Sequence, residues 1–316
     1  MASQPPLFAL EVYHLAFTGP VSVDPAAPTI PSDALFAALA AAWGRVQGRA
    51  AAEVAWWEPF RAGRPPFLLT SAFPYGGRVR FYPWPPAARW LWPPQQRAHA
   101  ATADLDPTAR FFSAGILALA LQGQDPAPVL TGPAARAVQN GVLRLSADEQ
   151  REKLAPAVQG EALWSVTDDG RVAFVPGAGL WFGVWWLKEG PKTLNDGTPW
   201  RQVWQAALEM LAADNPWGPW RCLAPADAAD PHGCQPLLRP ILPQVVHGPA
   251  YLLSRCVPGD GTAGPRPLAV HPVLGSVAPL WDAGSLVDMP RPLCGQVVTT
   301  AQGPVYGYGL GLPWPA

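Results

Sequence analysis

Two arginines alternate with apolar residues at Arg78-Val79-Arg80-Phe81, and tyrosines stand on either side at Tyr75 and Tyr82. In an extended segment, side chains two apart share a face, so Arg78 and Arg80 would point together beside aromatic rings. Guanidinium groups fork onto phosphates and rings stack on bases, which is the chemistry of a single-stranded RNA platform. A solvated edge strand carries the same pattern, and the residues alone leave both readings open. A second group is Ser32-Asp33, placed behind Pro31 and ahead of apolar residues at Leu35, Leu39, Trp43 and Val46. The spacing predicts an amphipathic helix. Ser32 would cap its free amides, Asp33 would meet the positive first turn, and Pro31 bars extension backwards.

Candidates for catalysis or cofactor binding are weak. His14 shares a strand face with Phe8, Leu10 and Val12, so a hydrogen-bonded core histidine is expected rather than a general base. Asp168 and Asp169 are explained as turn formers before Gly170. Gly259-Asp260-Gly261-Thr262-Ala263-Gly264 matches a dinucleotide fingerprint, but Pro265 and Pro267 forbid the helix that it needs. Cys222, His232 and Cys234 lack a fourth ligand at zinc-site spacing. No GxSxG, HExxH or Walker-type loop occurs. The expectation is a chain with no catalytic residue, no metal and no cofactor.

Composition narrows the class. The 316 residues suffice for two domains, and a net charge of −1 argues against a free-standing nucleic-acid binder. Of 22 cations, 19 are arginine, which favours forked contacts over diffuse attraction. Four scattered cysteines without a CxxC read as thiols of a cytoplasmic protein. No apolar run spans a membrane and no secretion signal is evident. Sixteen tryptophans exceed what core duty alone would use, so some are expected in contact surfaces.

The elements that must position these residues follow from periodicity. A strand is expected over Leu7–Phe17, a helix over Asp33–Val46, and a hairpin from strands 67–73 and 78–82 around Pro74-Tyr75-Gly76-Gly77. Residues 83–109 are proline-rich and read as a loop or projecting arm, followed by a helix over 109–121. After a loop over 122–160, the second half begins with a hairpin at Asp168-Asp169-Gly170. A buried strand over 179–187, a helix over Trp200–Ala213, and strands near 251–257 and 296–312 follow. This predicts an α+β fold of two ferredoxin-like (RRM-like) domains, 1–158 and 159–316, with an extended hairpin arm at about 74–109 in the first.

Several landmarks occur in one order along the chain. They are Gly19-Pro20, Ile30-Pro31-Ser32-Asp33-Ala34-Leu35-Phe36-Ala37-Ala38-Leu39, Ser71-Ala72-Phe73-Pro74-Tyr75 and Phe81-Tyr82-Pro83. Gly179-Leu180-Trp181-Phe182, Ala283-Gly284-Ser285-Leu286 and Gly303-Pro304-Val305-Tyr306-Gly307-Tyr308-Gly309-Leu310 complete the series. It resembles the RAMP-superfamily subunit that caps the crRNA 5′ handle in type III-A CRISPR effector complexes, the fourth Csm subunit. The resemblance implies a non-catalytic, antiviral RNA-binding role and two RRM-like domains. Its implied partners are the crRNA 5′ handle, the large polymerase-like signature subunit and a backbone RAMP subunit, with no membrane. It further implies a hairpin that wedges into the guide, for which the arm after Tyr75 is the candidate.

The residues placed at RNA on this reading are Ser32, Asp33, Ser71, Tyr75, Arg78, Arg80, Tyr82, Arg221 and Tyr308. The chain departs from the family at one loop. Where a glycine-rich GxGGxRSxGxG-type segment is usual, it has Asp214-Asn215-Pro216-Trp217-Gly218-Pro219-Trp220-Arg221-Cys222. Prolines remove the amide donors that such a loop turns toward phosphates. Handle binding should then lean on the first domain and on neighbouring subunits. Two rivals remain: a RAMP endoribonuclease acting through His14, and a Trp- and Gly-rich binding module of unrelated fold.

Overall fold

The computed structural model describes residues 10–97, 107–158, 160, 162–187, 190–222, 248–258, 266–273, 280–289 and 294–313. Strand β1 (Leu10–Phe17) leads to helix α1 (Ser32–Gln47), then short helices α2 (Arg49–Ala52) and α3 (Glu58–Arg61) around a π-helical turn. Next come β2 (Phe67–Leu69), β3 (Phe73–Gly76), β4 (Val79–Pro83), β5 (Phe111–Ser113), α4 (Ala114–Leu121) and α5 (Ala127–Leu130). They are followed by β6 (Ala135–Val138), β7 (Leu143–Ser146), β8 (Trp164–Val166), β9 (Val172–Phe174), β10 (Ala178–Trp186), α6 (Trp200–Asp214) and β11 (Trp220–Cys222). The C-terminal strands are β12 (Gly248–Leu252), β13 (Arg266–Ala269), β14 (Leu286–Met289), β15 (Cys294–Thr300), β16 (Gly303–Gly309) and β17 (Gly311–Pro313).

One large sheet dominates, in the order β11-β1-β10-β3-β4-β5-β7-β6, with β2 also paired to β10. Its pairings are antiparallel except β5 with β7. The elements β1, α1, β3, β10, α6 and β11 run β-α-β-β-α-β, and their strands lie in the spatial order fourth, first, third, second. That is a ferredoxin-like unit, with residues 77–177 inserted between its second and third strands. The α+β expectation therefore holds, and the boundary drawn between 158 and 159 does not. It falls inside the insertion, because β10 and β11 from beyond it complete the first unit.

Strand β10 is buried along Ala178–Trp185, since strands flank it and side chains cover both faces. A strand in that position carries a continuous apolar run, which Gly179-Leu180-Trp181-Phe182-Gly183-Val184-Trp185 supplies. On one face lie α1 and α6. Trp204 of α6 donates its indole N–H to the Tyr13 hydroxyl of β1 (3.0 Å) and packs edge-on against Phe67 of β2 (5.0 Å between ring centres). Phe36 of α1, fully buried, meets Trp57, Phe60 and Tyr306 at 4.6 to 4.9 Å between ring centres. Tyr306 belongs to the β15–β16 ribbon, and its hydroxyl accepts from the Leu69 amide (3.2 Å). The C-terminal ribbon is thus welded to the first helix.

The remaining C-terminal strands form a sheet in the order β13-β14-β12-β17, and among the described residues no helix follows α6. The helix expected over 109–121 starts later than its apolar pattern suggests. Phe111–Ser113 instead pair as β5 with β4 and β7 before α4 begins. Ten of the sixteen tryptophans are buried and five more are half-buried, so core packing accounts for most of them.

Phe36→Ala removes the ring that joins α1, α3 and the ribbon. A buried Phe-to-Ala change costs about 3–5 kcal/mol, and urea unfolding should show a loss of that size. A loss below about 1 kcal/mol would mean that the ribbon and helix do not share one core.

Candidate functional site

The strand that follows α3 is broken. Phe67–Leu69 pair with Val184–Trp186 of β10, and Phe73–Gly76 pair with Ala178–Trp181. Between them the backbone turns aside. Thr70 still bonds Gly183, but the Ser71 amide donates to Leu253 (2.8 Å) and Ala72 exchanges bonds with Ile30. This kink carries Ser71 to the start of α1, where its Oγ accepts from the Ser32 amide (3.0 Å). Ser71-Ala72-Phe73 and Ile30-Pro31-Ser32, some forty residues apart in sequence, meet there.

The C-terminal region closes the same place. Ser32 Oγ accepts from the Arg255 amide (2.9 Å), so Ser32 does not cap its own helix; the capping position is Pro31. Arg255 Nη1 donates to both oxygens of Asp33 (3.1 Å each), and its Nε donates to Asp282 Oδ1 (3.3 Å). Neighbouring Ser254 Oγ donates to the Tyr308 carbonyl (3.1 Å) and accepts from the Leu310 amide (2.6 Å). Gly284 has φ +90°, and a Cβ there would sit 2.8 Å from the Trp84 carbonyl, so this turn needs glycine twice over. His271 Nε2 bonds the same carbonyl (3.0 Å).

These contacts frame an open groove of about 740 Å³. Its walls are apolar, from Phe73, Phe111 and the run Trp84-Pro85-Pro86, and its polar groups are Thr29, Ser71, Arg110, His271 and Asp282. Arg110 is exposed and donates to its own Pro107 and Ala109 carbonyls at 2.8 and 3.1 Å. Trp90, half-buried in the 84–97 segment, carries the Arg97 guanidinium 4.6 Å above its ring. A trough with apolar walls, a half-buried Trp84 and an exposed arginine has room for unstacked bases and a phosphate.

Of the residues expected at RNA, Ser71 lines the groove, whereas Ser32, fully buried, and Asp33 lie beside it at the start of α1, with Tyr308 anchored nearby. Tyr308 is itself buried and donates its hydroxyl to the Phe60 carbonyl. The hairpin residues lie elsewhere. Arg78 is exposed in the two-residue turn between β3 and β4, not in a strand, so it does not share a face with Arg80. Arg80 is 2% exposed and donates its Nε to His14 Nε2 (3.1 Å), with Trp181 5.9 Å from the guanidinium carbon. Tyr82 is buried against Trp181, and Tyr75 is buried on His14 (4.3 Å between rings, 14° from parallel). Tyr75 reaches β1 across Gly179, where a Cβ would come within 3.0 Å of its ring. These three residues form the interior of the sheet's second face rather than an open platform. The β3–β4 hairpin is short, and Leu91 and Trp92 of the following segment are buried, so residues 74–97 make no projecting arm.

Arg221 pairs through its backbone with Ala16 in the sheet, and its side chain lies outside the described residues. The Gly259–Gly264 loop and the pair His232 and Cys234 also lie outside them. Among the described residues no cluster of metal-ligating side chains occurs, and no helix is long and apolar enough to cross a membrane. The loop at the family's glycine-rich position is committed to the fold. Thr18 N donates to Pro219 (2.9 Å) and Ser22 N to Trp217 (2.7 Å), so it grips the Gly19-Pro20 turn. Sequence reasoning passed over Arg110, His271, Asp282 and Arg255; their only signal was the Ala283-Gly284-Ser285-Leu286 landmark beside them.

The His14 imidazole fits the core reading. Burial, and then the Arg80 charge, hold its pKa down to about 3. In the unfolded chain it takes a proton near pH 6.5, while the folded one stays neutral, so stability rises with pH across that window. The contribution is full above pH 6.5 and is lost as pH falls toward 3. Denaturant unfolding from pH 7 to 4 should show His14→Gln losing stability with a slope shallower by up to one proton. Equal slopes would mean that His14 titrates like a surface histidine.

No protein-family model matches the chain, and no curated protein matches it. Solved structures do. A chain of the Csm3-Csm4 subcomplex in the type III-A CRISPR-Cas interference complex matches with TM-score 0.64 and 13% identity, covering 96% of this chain and 99% of that one. A chain of a Csm1-Csm4 cassette in complex with one ATP gives 0.55 and 17%, covering 98% and 99%. A chain of that cassette in complex with cA4 gives 0.54 and 18%, again covering 98% and 99%. At these identities the likeness is one of fold, an α+β architecture shared with those chains over nearly their whole length.

Proposed function

We propose that this chain is a non-catalytic subunit of a type III CRISPR effector complex. On this reading it binds the 5′ handle of the crRNA and bridges the large polymerase-like signature subunit to the backbone RAMP filament, in the cytoplasm, in antiviral defence. The carrying observation is mutual coverage of 96% and 99% with a chain of the Csm3-Csm4 subcomplex, joined to 98% and 99% with a chain of a Csm1-Csm4 cassette. The component common to both assemblies is Csm4. A second ferredoxin-like unit, with strands from the β13-β14-β12-β17 sheet, belongs to the same proposal.

Two features of the chain support the handle-binding part. The landmarks Pro31-Ser32-Asp33, Ser71-Ala72-Phe73 and Ala283-Gly284-Ser285 converge on one groove with apolar walls and arginine at its rim. The cations near it are few and Arg255 is already neutralised, which fits a subunit that relies on neighbours for phosphate binding. The non-catalytic part is supported by His14, whose Nε2 is taken by Arg80 at 8% exposure. A general base needs a lone pair within reach of substrate.

The isolated subunit should bind its locus's handle RNA weakly, with a salt slope of about 0.7 per phosphate contact and only a few contacts. Reconstitution with the cognate signature and backbone subunits should tighten binding and steepen the slope. Tight, strongly salt-dependent binding by the subunit alone, or failure to join the cognate subunits, overturns the proposal. Metal-free cleavage of repeat RNA that His14→Ala abolishes would transfer the case to the endoribonuclease reading.

A further inference from the structure

Arg255 is held by two carboxylates that differ in depth. Its Nη1 lies 3.1 Å from each oxygen of Asp33, and its Nε lies 3.3 Å from Asp282 Oδ1. The Arg255 and Asp33 side chains are 18% exposed, whereas that of Asp282 is 41% exposed and lines the groove. The Arg255 amide is fixed on Ser32 Oγ, so the guanidinium is pinned at the start of α1 behind the Asp282 carboxylate.

We infer that Arg255 is a latent phosphate ligand, whose Nε edge, closed by Asp282 in the free protein, passes to a backbone phosphate of single-stranded RNA in the groove. The inference rests on the handle-binding reading and adds to it how the site is switched. An exposed carboxylate gives up a single ion-pair contact at little cost, because water replaces it. The deeper pair to Asp33 stays, keeping the fork in position. Ser71 and His271 also line the groove. Among the described lining residues Arg110 and Asp282 carry the charges, so the Asp282 carboxylate offsets the one lining arginine. Once that carboxylate turns away, the Arg255 Nε edge adds a second cation for the strand. Assembly with partner subunits, which hold the strand in place, supplies the driving force.

The test uses the full-length subunit and its assembled complex, titrated with labelled handle RNA over a range of salt. Asp282→Asn keeps an acceptor for the Ala283 amide and removes the charge. It should bind RNA about tenfold tighter as the isolated subunit, the worth of one charge-assisted contact, with a salt slope steeper by about 0.7. Adding Arg255→Gln to Asp282→Asn should abolish the gain. Asp148→Asn, an exposed carboxylate outside the groove, controls for net charge and should gain less than twofold. Should Asp282→Asn fail to fold by thermal melting, Asp282→Ser takes its place. A gain no larger than that of Asp148→Asn, or one that survives Arg255→Gln, overturns the inference. If the wild-type complex binds handle RNA and only the Asp282 effect is missing, the latent-ligand idea alone falls. If the complex binds no handle RNA, the functional reading falls first.

Discussion

The pairing of β10 between β1 and β3 is the constraint from which the rest of the molecule follows. Eight residues from Ala178 to Trp185 pair with β1 on one edge and with β2 and β3 on the other, buried throughout. That pairing joins residues about 170 apart and closes the ferredoxin-like unit around a hundred-residue insertion. It also forces the break at Thr70–Ala72, since β2 and β3 reach the same strand at different registers. The break then presents Ser71 to the start of α1. A central strand thus determines where the groove lies, although no residue of β10 touches it.

The electrostatics of the groove follow from this crowding. Ser32, Ser71 and Arg255 sit where three parts of the chain meet, and each polar group there is satisfied by another part of the protein. A buried guanidinium without partners would cost several kcal/mol, so Asp33 and Asp282 beside it stabilise the junction. The same arrangement leaves little positive charge for a ligand. A chain with net charge −1 can tolerate this if its RNA is held partly by others. The scarcity of free cations at this junction is then a consequence of how the fold closes.

Much of the ferredoxin-like unit was legible because its signals are local. Leu35, Leu39 and Trp43 mark the α1 stripe, Val203, Ala207 and Leu211 mark α6, and Asp168-Asp169-Gly170 marks the β8–β9 turn. The site was legible only through the motif series, which pointed to Ser32, Asp33 and Ser71. What stayed hidden depends on long-range pairing. Alternation cannot tell that Gly77-Arg78 forms the turn, which shifts Arg78 out of the strand and leaves Arg80 facing His14. A buried arginine beside a neutral histidine has no sequence signature, and neither does Arg255, whose carboxylates come from 222 residues before it and 27 after it. The boundary at 158 was drawn on a loop-like, charged stretch just before it, a local signal that cannot register that β10 and β11 join the same sheet as β1 and β3.

The loop from Asn215 to Trp220 carries prolines where the resemblance led one to expect glycines. A glycine-rich loop offers amides to phosphates, whereas here Pro216 and Pro219 remove two of them and the chain accepts bonds instead. The Trp217 and Pro219 carbonyls take the Ser22 and Thr18 amides, so the loop clamps the turn after β1. That turn leads through residues 23–30 to Pro31 and the mouth of the groove. Proline and tryptophan therefore stiffen the approach to α1. The loop's carbonyls are thereby spent on the fold, and the polar groups that line the groove at the start of α1 include Arg110, His271 and Asp282.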